Sequence, residues 1–444
     1  MNAELAAIKT AAETALAQSF AQARKLLPGD DAVTARRDAA FDVFAREGLP
    51  HRRVEEWKYT DLRALMRDAK PLAAPPDTAA KARAKTAGAL VRDVEARRLV
   101  FVDGAFVAEL SDLANLEEGL AVGSLADALT GGEAVLAAHL GKLAPASDVA
   151  VALNTAFMGD GAVIRIAAGA TIERPLHLLF VASANPAATF TRSLAVVERG
   201  ARAMLIESHE GPDGSDYQVN AALELFVGDE AHVDHVKLVG DGADALHVAT
   251  LAAAIGARAR FNAFTFTAGG AVVRNQLFLR FDGEGTVAGI RGATLIRGRQ
   301  HADTTLVANH IARDCQSREM FKSVLDGEAH GVFQGRIIVR PHAQKTDAKM
   351  MTQALLLSER AEADNKPELE IFADDVQCGH GATAGALDDE LKFYLMARGI
   401  PAGEAEALLI QAFLGEAIGG IEHAGLREAL MDQVAGWLKA RGGQ

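Results

Sequence analysis

The chain has 444 residues, 49% of them hydrophobic, enough to bury the cores of two or three domains. Its net charge of −13 argues against a nucleic-acid groove or an anionic membrane surface as the main partner, since both need a surplus of Lys and Arg. Two cysteines, Cys315 and Cys378, are too few for a disulfide framework or for a four-thiolate centre in one chain, and a reducing cytoplasm is the expected compartment.

From Ala3 to Leu27 apolar residues recur at helical spacing, without the continuous apolar run of a secretory signal. Pro28-Gly29 breaks the pattern, and a second helix is predicted from about Asp31 to Glu47. No stretch of about 18 uncharged apolar residues occurs, so no membrane span is expected. Trp57 and Tyr59 follow; they could form a recognition patch, although packing of the helical region on its neighbour is the commoner role for such rings. Pro71, Pro75 and Pro76 with an Ala/Lys-rich stretch read as a linker, which makes residues 1–95 an N-terminal helical region and linker.

From about Leu99 to Phe372 short β-prone runs alternate with turns at Gly169, Gly200, Gly228, Gly256 and Gly283, at spacings of 31, 28, 28 and 27 residues. A related turn returns at Gly327, 44 residues later. Strand, Gly turn, strand at this period is what a β-solenoid needs, because each coil buries its apolar face against the coils above and below. A β-sandwich, with turns about every 8 to 12 residues, is the alternative. The preferred reading is a mainly β chain with a solenoid core over residues 96–384, whose open ends the flanking helical regions could cap.

After Gly385 the helical period returns over residues 385–444: Asp388 and Asp389 start a helix that ends at Arg398-Gly399, Pro401 opens a second through Ala417, and a last one ends near Leu438. Leu387, Leu391, Tyr394 and Leu395 make one apolar face, and Leu408, Leu409 and Phe413 another, available for intramolecular packing or for a partner.

Phosphate cradles are absent: Gly283-Glu284-Gly285-Thr286-Val287-Ala288-Gly289 has its third Gly one position late and no helix after it, so this chain is expected to bind no nucleotide. Hydrolase signatures of the Gly-x-Ser-x-Gly and His-Glu-x-x-His kinds are missing too. The densest polar cluster is Asp374-Asp375-Val376-Gln377-Cys378-Gly379-His380. In an extended segment Cys378 and His380 face one way and supply half a metal site, to be completed by a second chain; a buried Cys beside a hydrogen-bonded His explains the same residues. Cys315 could be a second thiol ligand but reads as core; His301, His310, His330 and His342 could line one solenoid face but read as surface or hydrogen-bonded residues; and the Asp374/Asp375 pair could act as acid and base but reads as a cap or turn.

Several segments resemble the SufB/SufD family of iron-sulfur cluster assembly proteins. They are Glu56-Trp57-Lys58-Tyr59-Thr60-Asp61, Val332-Phe333-Gln334-Gly335-Arg336-Ile337, Gln344-Lys345-Thr346-Asp347-Ala348 and Pro367-Glu368-Leu369-Glu370-Ile371, continuing through His380-Gly381-Ala382-Thr383 to Arg398-Gly399-Ile400. The His-Gly-Ala-Thr form is similar to the SufD branch. The resemblance implies a right-handed parallel β-helix flanked by helices, and a non-catalytic scaffold in a complex with SufB and the ATPase SufC. It implies His380, with weaker support for Cys378, as ligands of a transient iron-sulfur cluster shared with SufB, and a C-terminal SufC-binding region that includes Leu391, Phe393, Tyr394, Leu395, Arg398, Leu409 and Phe413. The resemblance leaves a flavin open at the level of the complex only, and the sequence carries no motif for it; the isolated chain could form a homodimer through an exposed solenoid edge. A carbohydrate-active β-helix enzyme and a purely architectural subunit are the rival readings.

Overall fold

Strands of eight to ten residues follow one another from Ala188 to Ile371, most of them with apolar side chains at alternate positions over much of their length. In the computed structural model, which describes residues 9–442, consecutive strands do not pair. Each lies parallel to the next strand but one, within a ten-stranded and a nine-stranded sheet that face each other across a common core and begin with antiparallel pairs, Arg97–Val102 with Ala105–Phe106 and Leu120–Ser124 with Ala162–Ile166. Two strands and two corners make one coil of a parallel β-solenoid. The coil length runs from 26 residues, Leu246 to Val272, to 32, His330 to Glu362.

Register stacks like on like. Leu223, Leu251, Leu277 and Leu306 form one interior column, all at most 6% exposed. Each such leucine contributes roughly 1.5–3 kcal/mol of burial, and a one-residue slip would turn the whole column to the outside.

The periodic feature at one corner is a backbone conformation rather than a residue type. Gly169, Gly200, Glu230, Arg258, Gly285, Asp314 and Lys345 all have φ between 54° and 73°. Each N–H donates to a carbonyl of the next coil, from Gly169 to Arg199 at 2.9 Å through Asp314 to Gln344 at 2.9 Å and Lys345 to Asp375 at 2.6 Å. This ladder offsets the cost of the left-handed region for the four side-chain-bearing residues. Gly228, Gly256 and Gly283 serve a different need: a Cβ there would lie 2.7, 2.6 and 1.9 Å from atoms of the coil below. Gly327 belongs to the opposite corner, against Gly298, which explains the irregular interval of 44.

The N-terminal helices Ala11–Ala23 and Asp31–Glu47 pack with Val149–Phe157 on the outer face of the nine-stranded sheet, where Phe20 stacks on Phe41 at 4.1 Å. The predicted linker is ordered in part: Thr78–Ala84 is a helix, capped by Asp77, with Ala80 and Ala84 buried against Val100 and Leu179. Helices Leu125–Gly131, Ala134–His139 and Val149–Phe157 also interrupt the region expected to be strands from Leu99 onward.

At the other end, helices Ala402–Ile418 and Ala424–Gly442 lay Ile410, Leu414, Leu426, Leu430 and Val434 against Val236, Phe264, Phe266 and Leu295 on the outer face of the ten-stranded sheet. The helices therefore cover the sides of the solenoid instead of its C-terminal end. Its last strands, Glu362–Ile371 and Gln377–Gly385, pair on one side only among the described residues. No helix among the described residues is long and apolar enough to cross a membrane.

Candidate functional site at the open end of the solenoid

The strand Gln377–Gly385 continues the ten-stranded sheet by pairing with Asp347–Leu356, which sets Cys378 beside Ala348 and His380 beside Met350. Ala348 and Met350 belong to the interior core, so the period of two turns Cys378 and His380 toward the mouth of the solenoid. Cys378 is half-buried and His380 exposed. Alternate residues of a strand stand about 6.6 Å apart, and the pair therefore presents one thiol and one imidazole on a single face. Leu369 of the facing sheet and Val376 pack on the same core. Met350 is seated beneath His380 because Gly335 has no side chain: a Cβ there would lie 2.4 Å from Met350 Sδ.

Burial pushes the Cys378 thiol up from its ordinary value, and the charges of Asp347 and Glu319 add to the shift. An incoming metal has to displace its proton, since the thiolate is the ligand. One coil below Met350 lies Glu319, 2% exposed inside the solenoid. Burial pushes its carboxyl up to about 7. The nearby Ser317 hydroxyl contacts His310 Nε2 at 3.1 Å.

The other residues singled out in the sequence do not join this mouth. Cys315 is fully buried, its Sγ 3.3 Å from the Gly283 carbonyl, and burial raises its thiol pKa. His310 is buried and stacks on Phe281 at 4.1 Å, and His342 is exposed. His301 and His330 stand in register on adjacent coils, with Nδ1 atoms 3.2 Å apart, and His330 Nε2 reaches Asp364 at 2.8 Å. Asp375 takes part in a corner, its N–H donating to Gln344 Oε1 at 2.9 Å. Trp57 is a packing residue, 2% exposed under the Arg274 guanidinium at 3.8 Å, with Nε1 donating to Asp148. The glycine run at 283–289 is a corner followed by a strand, Val287–Ile296.

The C-terminal candidates divide. Leu391, Phe393 and Tyr394 on the helix Asp389–Met396 are exposed by 51, 71 and 54%, with Arg398 lying over the Tyr394 ring. Leu395 and Leu409 are half-buried. Phe413 faces the solenoid, with Lys322 Nζ 4.4 Å from its ring centre.

Sequence reasoning missed Glu319 and a larger interior cluster. Glu207, His209, His235 and Lys237 are all nearly inaccessible inside the solenoid, where Lys237 Nζ donates to Glu207 at 2.9 Å. His209 Nε2 lies 2.7 Å from the same carboxylate. His209 and Glu207, like Lys237 and His235, are alternate residues on adjacent strands, a pattern visible once the coil register is known.

Comparison with known proteins agrees with this architecture. Residues 180–413 match the model described as SUF system FeS cluster assembly, SufBD core domain, and residues 10–178 match the SufBD protein N-terminal region. The chain belongs to the SufBD family. It is 33% identical over 421 residues to an iron-sulfur cluster assembly SufBD family protein of Synechocystis, covering 91% of each chain. It is 30% identical over 394 residues to the iron-sulfur cluster assembly protein SufD of Escherichia coli, covering 88% of this chain and 89% of that one. SufD of Bacillus subtilis is 27% identical over 288 residues, 64% of this chain and 65% of that one. This SufBD chain is thus a SufD homologue in iron-sulfur cluster assembly, and both family segments fall on the solenoid and its flanking helices.

Proposed function

We propose that the chain is a non-catalytic scaffold subunit of a cytoplasmic SUF assembly complex, in which it contributes His380, with Cys378 beside it, to a nascent cluster at an interface with SufB. The observation that carries this reading is the placement of one thiol and one imidazole at the mouth of a solenoid whose last two strands, among the described residues, have unpaired edges. A second solenoid docked edge to edge would continue both sheets and could supply the missing soft ligands. Ile371, Phe372 and Met351, exposed by 42, 57 and 39% around this end, give such a contact apolar surface. The cluster is cargo here. A ligand set divided between subunits lets assembly and release follow their relative movement.

That movement would be driven by ATP hydrolysis in SufC, docked on Leu391, Phe393 and Tyr394 of the helix Asp389–Met396. Their exposure supports the docking role, because an unpartnered surface of this kind favours association. In isolation the same solenoid edge would pair two copies of this chain.

The test is anaerobic reconstitution of the complex co-expressed with SufB and SufC, comparing wild type with His380→Ala and counting iron and sulfide per complex. An assembled variant complex that loses its cluster supports the ligand role. An assembled complex with full cluster sinks it and leaves an architectural subunit.

A further inference from the structure

On the outer face of the ten-stranded sheet, His232, Asp234 and Glu422 bring one imidazole nitrogen and two carboxylate oxygens within 4.8 Å of one another. His232 and Asp234 are alternate residues of the strand His232–Gly240 and share its outward face. Glu422 comes from the short connection between the two last helices. Arg291 holds that connection to the sheet, its Nη1 donating to the Gly420 carbonyl at 3.2 Å.

His232 Nε2 lies 3.7 Å from Asp234 Oδ2 and 3.7 Å from Glu422 Oε1. Both separations are too long for hydrogen bonds, and this buried nitrogen has no other partner. The spacing is close to the roughly 3.3 Å between neighbouring ligands of a tetrahedral first-row ion, given bonds of about 2.05 Å. The third separation, between the Asp234 and Glu422 oxygens, is no more than 4.8 Å, so a cation at the centre has to draw the two carboxylates together.

Two further features fit an ion. Asn262 Nδ2 donates to Asp234 Oδ1 at 2.8 Å, which orients the carboxylate and leaves Oδ2 directed at His232. A cavity of about 10 Å³, the size for one water, adjoins the two carboxylates, lined by Asp234, Asn262, Arg291 and Glu422 but not by His232.

We propose that His232, Asp234 and Glu422 bind a divalent first-row transition metal, with the fourth position open to water. An imidazole with two carboxylates suits Zn²⁺ or Fe²⁺, whereas Mg²⁺ favours all-oxygen sets and Cu⁺ thiolates. Bound there, the ion joins the helical connection to the sheet, on a face apart from the mouth that holds Cys378 and His380.

The experiment uses the metal-stripped full chain carrying Cys378→Ser and His380→Ala, so that the mouth contributes no metal, and Co²⁺ as the spectroscopic probe. One saturable equivalent with visible d–d bands is expected, displaced by Zn²⁺ and retained in millimolar Mg²⁺. Glu422→Gln should weaken it at least tenfold; Glu422 is 53% exposed, so the substitution leaves packing intact. His232→Ala should abolish it. Absence of saturable Co²⁺ uptake, or displacement by Mg²⁺, overturns the assignment. Unchanged affinity in Glu422→Gln does so as well, and reduces the cluster to an ion pair of protonated His232.

Discussion

Lys237 donates to Glu207 at 2.9 Å inside the solenoid, where neither residue is more than 6% exposed. Two opposite charges withdrawn from water are held there by each other, with His209 and His235 closing on the same carboxylate. Lys237→Met leaves Glu207 buried without its cation, and the expected loss is about 3–5 kcal/mol in urea unfolding. Lys237→Met with Glu207→Leu should recover most of it. A double variant as unstable as the single would show that packing, not the uncompensated charge, sets the cost.

Glu319 gives a second, pH-dependent test. Its carboxyl is pushed from 4.5 up to about 7, so the unfolded chain ionises it first as pH rises. The stabilising contribution is full below 4.5 and is lost progressively up to about 7, an effect of about 3 kcal/mol. Glu319→Gln should therefore gain stability over wild type at pH 8 and gain little at pH 4. Urea midpoints at the two pH values decide this, and equal differences at both would contradict it.

Acid acts on the histidines in the opposite sense. Burial lowers His177 to about 3 and His209, His301 and His310 to about 4 from 6.5. Between pH 6.5 and 4 the unfolded chain binds protons that the folded chain refuses, so stability falls as pH falls, by up to about 1.4 kcal/mol per pH unit for each group. His310→Gln can keep a hydrogen bond to Ser317 and should lower the slope by about one proton in that window.

The C-terminal aromatic residues should separate binding from stability. Phe393 is 71% exposed, whereas Phe413 packs toward the solenoid under Lys322. Phe393→Asp should leave unfolding within about 0.5 kcal/mol of wild type while weakening SufC capture at least tenfold. Phe413→Asp should destabilise the chain by about 2 kcal/mol or more, since it brings a charge to an apolar contact. Unchanged SufC affinity in Phe393→Asp would contradict the docking proposed for this helix.

The amino-acid sequence by itself determined the repeat, the helical flanks and the Cys378/His380 pair. Those depend on local quantities: the period of two in strands, the period of 3.6 in helices, and residues two apart on one face. It misassigned the corner at Gly327 because glycine marks two unlike requirements, left-handed φ at Gly200 and close backbone approach at Gly283. The left-handed position is also filled by Glu230, Arg258, Asp314 and Lys345, which carry no glycine signal. Only the tertiary structure decided what lies beneath the mouth and on the sheet face. Glu319 stacks below Met350, and Glu422 meets His232, because parallel register and helix docking join residues far apart in the chain. A single sequence specifies which side of a strand a residue faces, but its neighbour on the next coil depends on how many residues each corner takes, here from 26 to 32 per coil.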